Sequence, residues 1–295
     1  MNVENMIKLL KMIYDQLPVV REMRRFEFRA MASLHLQEAA QIIQTFEAMK
    51  AGNERYRDPR RLLVHGAQYW SQNYEDGMIA EIFRRIGVKS RTFLEIGVGD
   101  GRENNTAALL ALGWSGWWIE GSPAACKKMA AALQTAPATA TRLKIRQAFV
   151  SPENVGDLLR EQGVPPEVDL FSLDIDLDTY HIWAALKEFR PRVAIVEYNA
   201  AFPPDQSWIH PYRPGQVWNG TQTFGASLKA FERLGADFGY SLVACDILGN
   251  NAFFIRNDLV GDKFVAPFTA ENHYEPQRYQ LLSRTGHPPS LPFID

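Results

Sequence analysis

Thr92-Phe93-Leu94-Glu95-Ile96-Gly97-Val98-Gly99-Asp100-Gly101 is the stretch whose reading decides the fold of this chain. Its first five residues are mostly apolar or β-branched and too few for a helix, so they predict a short buried strand. Glycines then stand at 97, 99 and 101. Lacking a Cβ, they accept positive φ and let a ligand lie against the backbone. A strand running through such a turn into a helix is the opening βα unit of a doubly wound parallel sheet.

Working outward, the segment before the strand carries Ile79, Ile82, Phe83 and Ile86 at helical spacing, with Glu75 and Asp76 in the first turn. The helix dipole favours acids there, and Gly87 closes the helix. Because this helix leads straight into the glycine strand, Ser71, Gln72 and Glu75 are candidates to reach the ligand.

Beyond Gly101 the alternation is regular. Helices are expected at 105–112, 123–133, 155–162 and 180–189, and strands at 116–120, 143–150, 168–174 and 192–197. Strands alternating with helices predict a Rossmann-like, mostly parallel sheet with ligands at the carboxyl ends of its strands. The end differs. After a helix near 224–234, the strands Ser241–Cys245 and Asn251–Arg256 are separated by five residues, too few for a parallel crossover, so they form an antiparallel hairpin.

The fold class is therefore α/β, a doubly wound sheet with a C-terminal hairpin, preceded by an N-terminal helical segment. Residues 1–50 read as helical: Met6, Leu10, Ile13 and Leu17 form one apolar face, Pro18 ends or kinks it, and Phe28 to Phe46 continue it. This segment either caps the sheet or pairs with its copy in a homodimer. Residues 51–68 read as a polar linker, whose Arg55, Arg57, Arg60 and Arg61 grip an anion or form a solvated face. The sheet domain spans 69–256, and 257–295 read as an irregular tail over the core.

Composition excludes some classes. With 295 residues, 46% hydrophobic and 22% charged, the chain is an ordinary globular one. A net charge of -2 gives no support for nucleic-acid binding. No run approaches the roughly 20 apolar residues that span a bilayer, and the first residues lack a secretory pattern. The expectation is a cytoplasmic protein with no membrane role. Cys126 and Cys245 fit no metal-ligand spacing and read as buried free thiols.

The glycine spacing is Gly-x-Gly-x-Gly, whereas a dinucleotide fingerprint needs its third glycine where Arg102 stands. Glu120 ends the second strand, where a carboxylate can hold ribose hydroxyls. No Walker sequence is present. Glu95-Ile-Gly-Val-Gly-Asp-Gly101, Glu120 and the closing hairpin together resemble the class I S-adenosylmethionine-dependent methyltransferases over roughly residues 70–256. The resemblance implies that Gly97, Gly99 and Gly101 form the cofactor turn and that Glu95 helps place the methionyl ammonium. It further implies that Glu120 holds the ribose, with Gly121 and Ser122 beside it, and that Phe149 lies near the adenine. Ser71 is a further cofactor candidate from its place before the strand.

Asp174, Asp176 and Asp178 follow the fourth strand, and Glu197-Tyr198-Asn199 end the fifth. Carboxylates gathered with an Asn carbonyl suit a hard cation, so Asp174, Asp176, Glu197 and Asn199 are the expected ligands of Mg²⁺ or another divalent metal. The pattern is similar to metal-dependent O-methyltransferases of the catechol and macrocin types, although Tyr198 separates the polar pair here. Asp174, His181 and His210 are the candidate catalytic residues, the two histidines as bases. The long loop 202–218 reads as a binding surface, with Trp208, Tyr212, Arg213 and Trp218 as acceptor contacts. The expected partner is a small-molecule methyl acceptor, such as a sugar or secondary metabolite. A nicotinamide oxidoreductase and a non-catalytic partner retaining the fold are the competing readings.

Overall fold

A computed structural model of the chain describes residues 5–8, 14, 17–218, 220–278 and 281. The described residues up to Gly52 form one compact unit and those from Asn53 to Arg278 another. The first unit is dominated by a single helix, α1 (Pro18–Gly52). Pro18 therefore starts a helix, in the first turn, where its missing N–H costs no hydrogen bond. Of the expected earlier helix, Leu10 and Ile13 lie outside the described residues. Along α1, Ile42 and Phe46 are buried while Phe28, Met31 and Leu34 are exposed.

In the second unit, two-residue alternation builds the sheet. Within β1 (Thr92–Ile96), Phe93 belongs to the apolar cluster on one face and Leu94 to the cluster on the other. The same period separates Leu170 from Phe171, Val193 from Ala194 and Phe253 from Phe254. Strands buried on both faces require helices on both sides. The remaining strands are β2 (Ser115–Glu120), β3 (Leu143–Gln147), β4 (Leu170–Leu173), β5 (Val193–Glu197), β6 (Tyr240–Cys245) and β7 (Asn251–Arg256).

Their order is β3-β2-β1-β4-β5-β7-β6. The first five are parallel, and β7 runs antiparallel to both β5 and β6. This is the Rossmann-like sheet with a closing hairpin that the sequence predicts. The chain steps outward from β1 to β3 and then returns to β4, so the direction of winding reverses between β1 and β4. Ligand crevices open at the carboxyl ends of such a pair.

Helices α2 (Glu75–Ile86), α3 (Ala107–Ala111), α4 (Pro123–Leu133), α5 (Pro137–Ala140), α6 (Val155–Gln162), α7 (Thr179–Ala185) and α8 (Leu228–Asp237) connect the strands. Two short helices follow β7, α9 (Asn257–Val260) and α10 (Ala270–His273). Strand β3 stops at Gln147, where its partner β2 ends, so Phe149 lies in the loop beyond rather than on the strand. Cys126 and Cys245 are buried and free. No helix among the described residues is long and apolar enough to cross a membrane.

Residues 53–68 are fastened down rather than free. Arg55 donates to the carbonyl of Tyr274 at 3.0 Å, and Arg61 reaches the carbonyl and side-chain oxygens of Asn272 at 2.9 and 2.6 Å. Tyr56 donates its hydroxyl to the buried Glu275 at 2.8 Å. Arg57 and Arg60 pair with Glu54 and Asp58. These arginines serve the segment and its docking onto residues 270–278, which answers the expectation of an anion grip.

Candidate active site

The glycine turn is shaped by a close approach of two strands. Gly97 has φ of 83°, and a Cβ there would stand 1.6 Å from the carbonyl oxygen of Asp174. Beside that contact, the Asp174 amide donates to the Ile96 carbonyl and the Gly97 amide to the Ile119 carbonyl, each at 3.0 Å. No side chain fits, so β1, β2 and β4 can meet here only around a glycine. Gly99, at φ 61°, has open space where its Cβ would be. Gly101 donates to the Val98 carbonyl and shapes the turn without lining a cavity.

Two cavities share this turn. The larger, about 650 Å³, lies over the carboxyl ends of β1, β2 and β4, and the smaller, about 250 Å³, lies beside it. Gly97, Gly99 and Asp174 line both. Glu120 lines the larger, with Oε2 accepting from the Gly99 amide and Oε1 from the Ser122 amide, both at 2.7 Å. Ser122 thus holds Glu120 and caps α4 instead of facing the cavity. Gly121 and Phe149 form one flank, a Cβ on Gly121 standing 3.0 Å from the Phe149 ring.

The smaller cavity is acidic. Glu75, Glu95, Asp100, Glu103 and Asp174 line it, with Asn73 and Asn251 among the polar neighbours. Glu95 accepts from Asn104, from the amides of Asn105 and Thr106, and from the Thr106 hydroxyl. Its carboxylate organises the entry to α3, while its burial pushes its pKa up. Glu75 accepts from the Asn73 amide and from Asn251 Nδ2, each at 2.6 Å. Ser71, fully buried, does not line either cavity: it ties its amide and hydroxyl to Asp76 at the start of α2. Asn251 escaped the sequence reading; the antiparallel pairing of β7 with β5 sets it opposite Glu197.

Asp174 lines both cavities, with its side chain exposed. Burial pushes its pKa up to about 6, against a hydrogen bond with Glu197 that pulls it down. Burial, then the charge of Asp174, drives Glu197 well above the usual carboxylate range. Its Oε2 is buried without a hydrogen-bond partner.

The expected metal set does not assemble. Asn199 Nδ2 donates to the carbonyls of Gln222 and Phe224, and its oxygen accepts from the Ala201 amide, so the side chain is used up in pinning the loop. Asp176 stands on a left-handed backbone at φ 56°, in the loop after β4. Among the described residues no group of three or more His, Cys, Asp or Glu is arranged to hold a metal ion. These donors do not fit the divalent cation expected from the sequence.

Neither histidine lines either of these cavities. His181 Nε2 is bound at 2.7 Å to the His210 carbonyl, and His210 Nδ1 is buried without a partner. Of the loop residues, Tyr212 and Trp218 line the larger cavity together with Gly215, Gln216 and Val217. Trp208 instead stacks on Phe202 at 4.4 Å, and Arg213 is exposed away from it.

No family model matches the chain, and no curated protein matches it. Solved structures do resemble it. A magnesium protoporphyrin IX methyltransferase from Synechocystis PCC 6803 with bound S-adenosylmethionine is 11% identical, with TM-score 0.39, covering 73% of this chain and 96% of its own. An S-adenosylmethionine-dependent methyltransferase from Clostridium acetobutylicum is 12% identical, with TM-score 0.38 and coverage of 60% and 89%. A glycopeptide N-methyltransferase is 14% identical, with TM-score 0.38 and coverage of 71% and 96%. At this distance they settle nothing about activity, which has to be judged from the geometry above.

Proposed function

We propose that this chain is an S-adenosylmethionine-dependent methyltransferase acting on an oxygen of a small molecule. One observation carries the reading: at the glycine turn both cavities are lined by carboxylates, and no Lys, Arg or His lines either among the described residues. A sulfonium and an ammonium are favoured in such a field. The pyrophosphate of a dinucleotide, which binds at the same turn in nicotinamide enzymes, is repelled. That weighs against the oxidoreductase reading.

The residues present fit the cofactor. Gly97 and Gly99 offer bare backbone, the acids of the smaller cavity suit the methionyl ammonium, and Glu120 suits ribose hydroxyls. Gly121 and Phe149 make an apolar flank for the adenine. When bound, the cofactor supplies a methyl group on a positively charged sulfur. Asp174, facing the space shared by the two cavities, is placed to take the proton of an acceptor hydroxyl. The walls formed by Tyr212 and Trp218 hold the acceptor against it, and such positioning accounts for roughly 7–11 kcal/mol of barrier lowering in well-oriented reactions.

Titration calorimetry with S-adenosylmethionine tests the reading. Binding to the wild type is expected, and Glu120→Ala should weaken it by about 10- to 100-fold, the size of a lost hydrogen bond to a charged group. Absence of binding, or an unchanged Glu120→Ala, would refute the cofactor assignment.

A further inference from the structure

The larger cavity carries charge beyond Glu120 and Asp174. Asp176 and Asp178 line it on the same loop after β4. Neither side chain makes a hydrogen bond or ion pair within the described residues. Burial pushes the Asp178 carboxyl up, His181 and His210 nearby pull it down, and Glu153 pushes it up again. Asp176 has no such neighbour. Its backbone sits at φ 56°, a left-handed conformation that Asp adopts more readily than most side chains.

Two aromatic side chains line the same cavity, each fixed at its polar edge. Tyr212 donates its hydroxyl to Glu153 at 2.8 Å, and Trp218 donates Nε1 to the Thr221 carbonyl at 2.8 Å. Both residues line the cavity. Aromatic faces beside an unpaired carboxylate attract organic cations, through the ring quadrupole and through direct charge.

We propose that the larger cavity selects acceptors that carry a protonated amine on a flat ring and rejects their anionic counterparts, with Asp176 making the distinction and Tyr212 and Trp218 receiving the ring. This rests on the methyltransferase reading and names its substrate class. A carboxylate or phosphate acceptor would enter a cavity whose lining offers four carboxylates and no basic side chain.

The test uses two catechols of the same ring and opposite charge, dopamine and 3,4-dihydroxyphenylacetate. Each is titrated calorimetrically into the protein saturated with S-adenosylhomocysteine. Dopamine is expected to bind at least about tenfold more tightly, the selectivity that one uncompensated charge near a protein surface can supply. Asp176→Asn should reduce the ratio to near unity while S-adenosylhomocysteine binds as before; Asp178→Asn should reduce it less. Equal affinities, a preference for the acid, or binding of neither at millimolar concentration overturns the proposal. Failure of S-adenosylhomocysteine itself to bind overturns the cofactor assignment instead.

Discussion

Replacing Gly97 with alanine sets two costs against each other that Gly99→Ala separates. At Gly97 a Cβ would lie 1.6 Å from the Asp174 carbonyl oxygen and 2.7 Å from its carbon, with φ at 83°. To reach ordinary contact, β1 and β4 must part by roughly 2 Å at this end. The hydrogen bond from the Asp174 amide to the Ile96 carbonyl lies at that place and goes with it. Left-handed backbone costs about 1–2 kcal/mol for a residue with a Cβ, and the lost bond about 0.5–1.5 kcal/mol. The total, about 2–3 kcal/mol, corresponds to roughly 5–10 °C in melting temperature for a unit of this size. Gly99→Ala meets nothing within 4 Å and bears only the backbone cost, so its melting temperature should fall by no more than about 2–6 °C. Both should weaken S-adenosylmethionine binding, because both glycines line both cavities. Calorimetric melting of the two variants and the wild type decides. If Gly97→Ala melts no lower than Gly99→Ala, the close approach of β4 is not what fixes a glycine at 97.

Three other outcomes follow from the same geometry. Asp174, with its pKa raised from 3.8 to about 6, favours the protonated form when folded, so its contribution to stability is full below about pH 4 and lost as pH rises through about 6. Asp174→Asn should therefore melt higher than the wild type above about pH 7, and should lose the acid limb of kcat/KM near pH 6 together with most of the activity; parallel melting profiles across pH would contradict the shift. Turnover should persist in excess EDTA, since Asn199 is engaged with the loop and no group of three or more His, Cys, Asp or Glu among the described residues is arranged to hold a metal; loss of activity that Mg²⁺ restores would show that these donors rearrange. Tyr56→Phe removes a hydroxyl donor to buried Glu275, and should lower the melting temperature by roughly 5 °C while leaving cofactor affinity unchanged.

The glycine turn was legible because its determinants are local: a five-residue strand, bare positions at 97 and 99, and an acid where β2 ends. Hairpin closure was legible from chain length alone. The roles of Asn199, His181 and His210 were not, because they depend on how the loop from 200 to 226 folds back. Asn199 bonds to carbonyls 23 and 25 residues away, and His181 to one 29 residues away. The pairing of Glu75 with Asn251 spans 176 residues. Likewise, Arg55 and Arg61 looked free in sequence because their partners lie more than 200 residues on.

Why the cavities stay acidic in a chain with nearly balanced charge is a matter of where the cations went. The chain has 32 Lys and Arg against 34 Asp and Glu. At the edge of the sheet where the parallel strands begin, acids are met by cations: Arg192 pairs with Asp169 and Arg256 with Glu167, each at 2.6 Å. At the opposite edge, acids are met by amides. Glu95 takes amides from residues 105 and 106, Glu120 from 99 and 122, and Asp246 from residues 248–251. An N–H satisfies a carboxylate's lone pairs without cancelling its charge. The first edge is thereby neutral and structural, while the second keeps a negative field that the protein itself leaves uncompensated. Burial raises Glu75, Glu95, Asp174, Asp176 and Asp246 together, and for Asp174 and Asp246 a neighbouring acid adds to the rise, a strain that neutralisation relieves. A ligand bearing positive charge relieves that strain on entering, so part of its affinity is stored in the fold before it arrives.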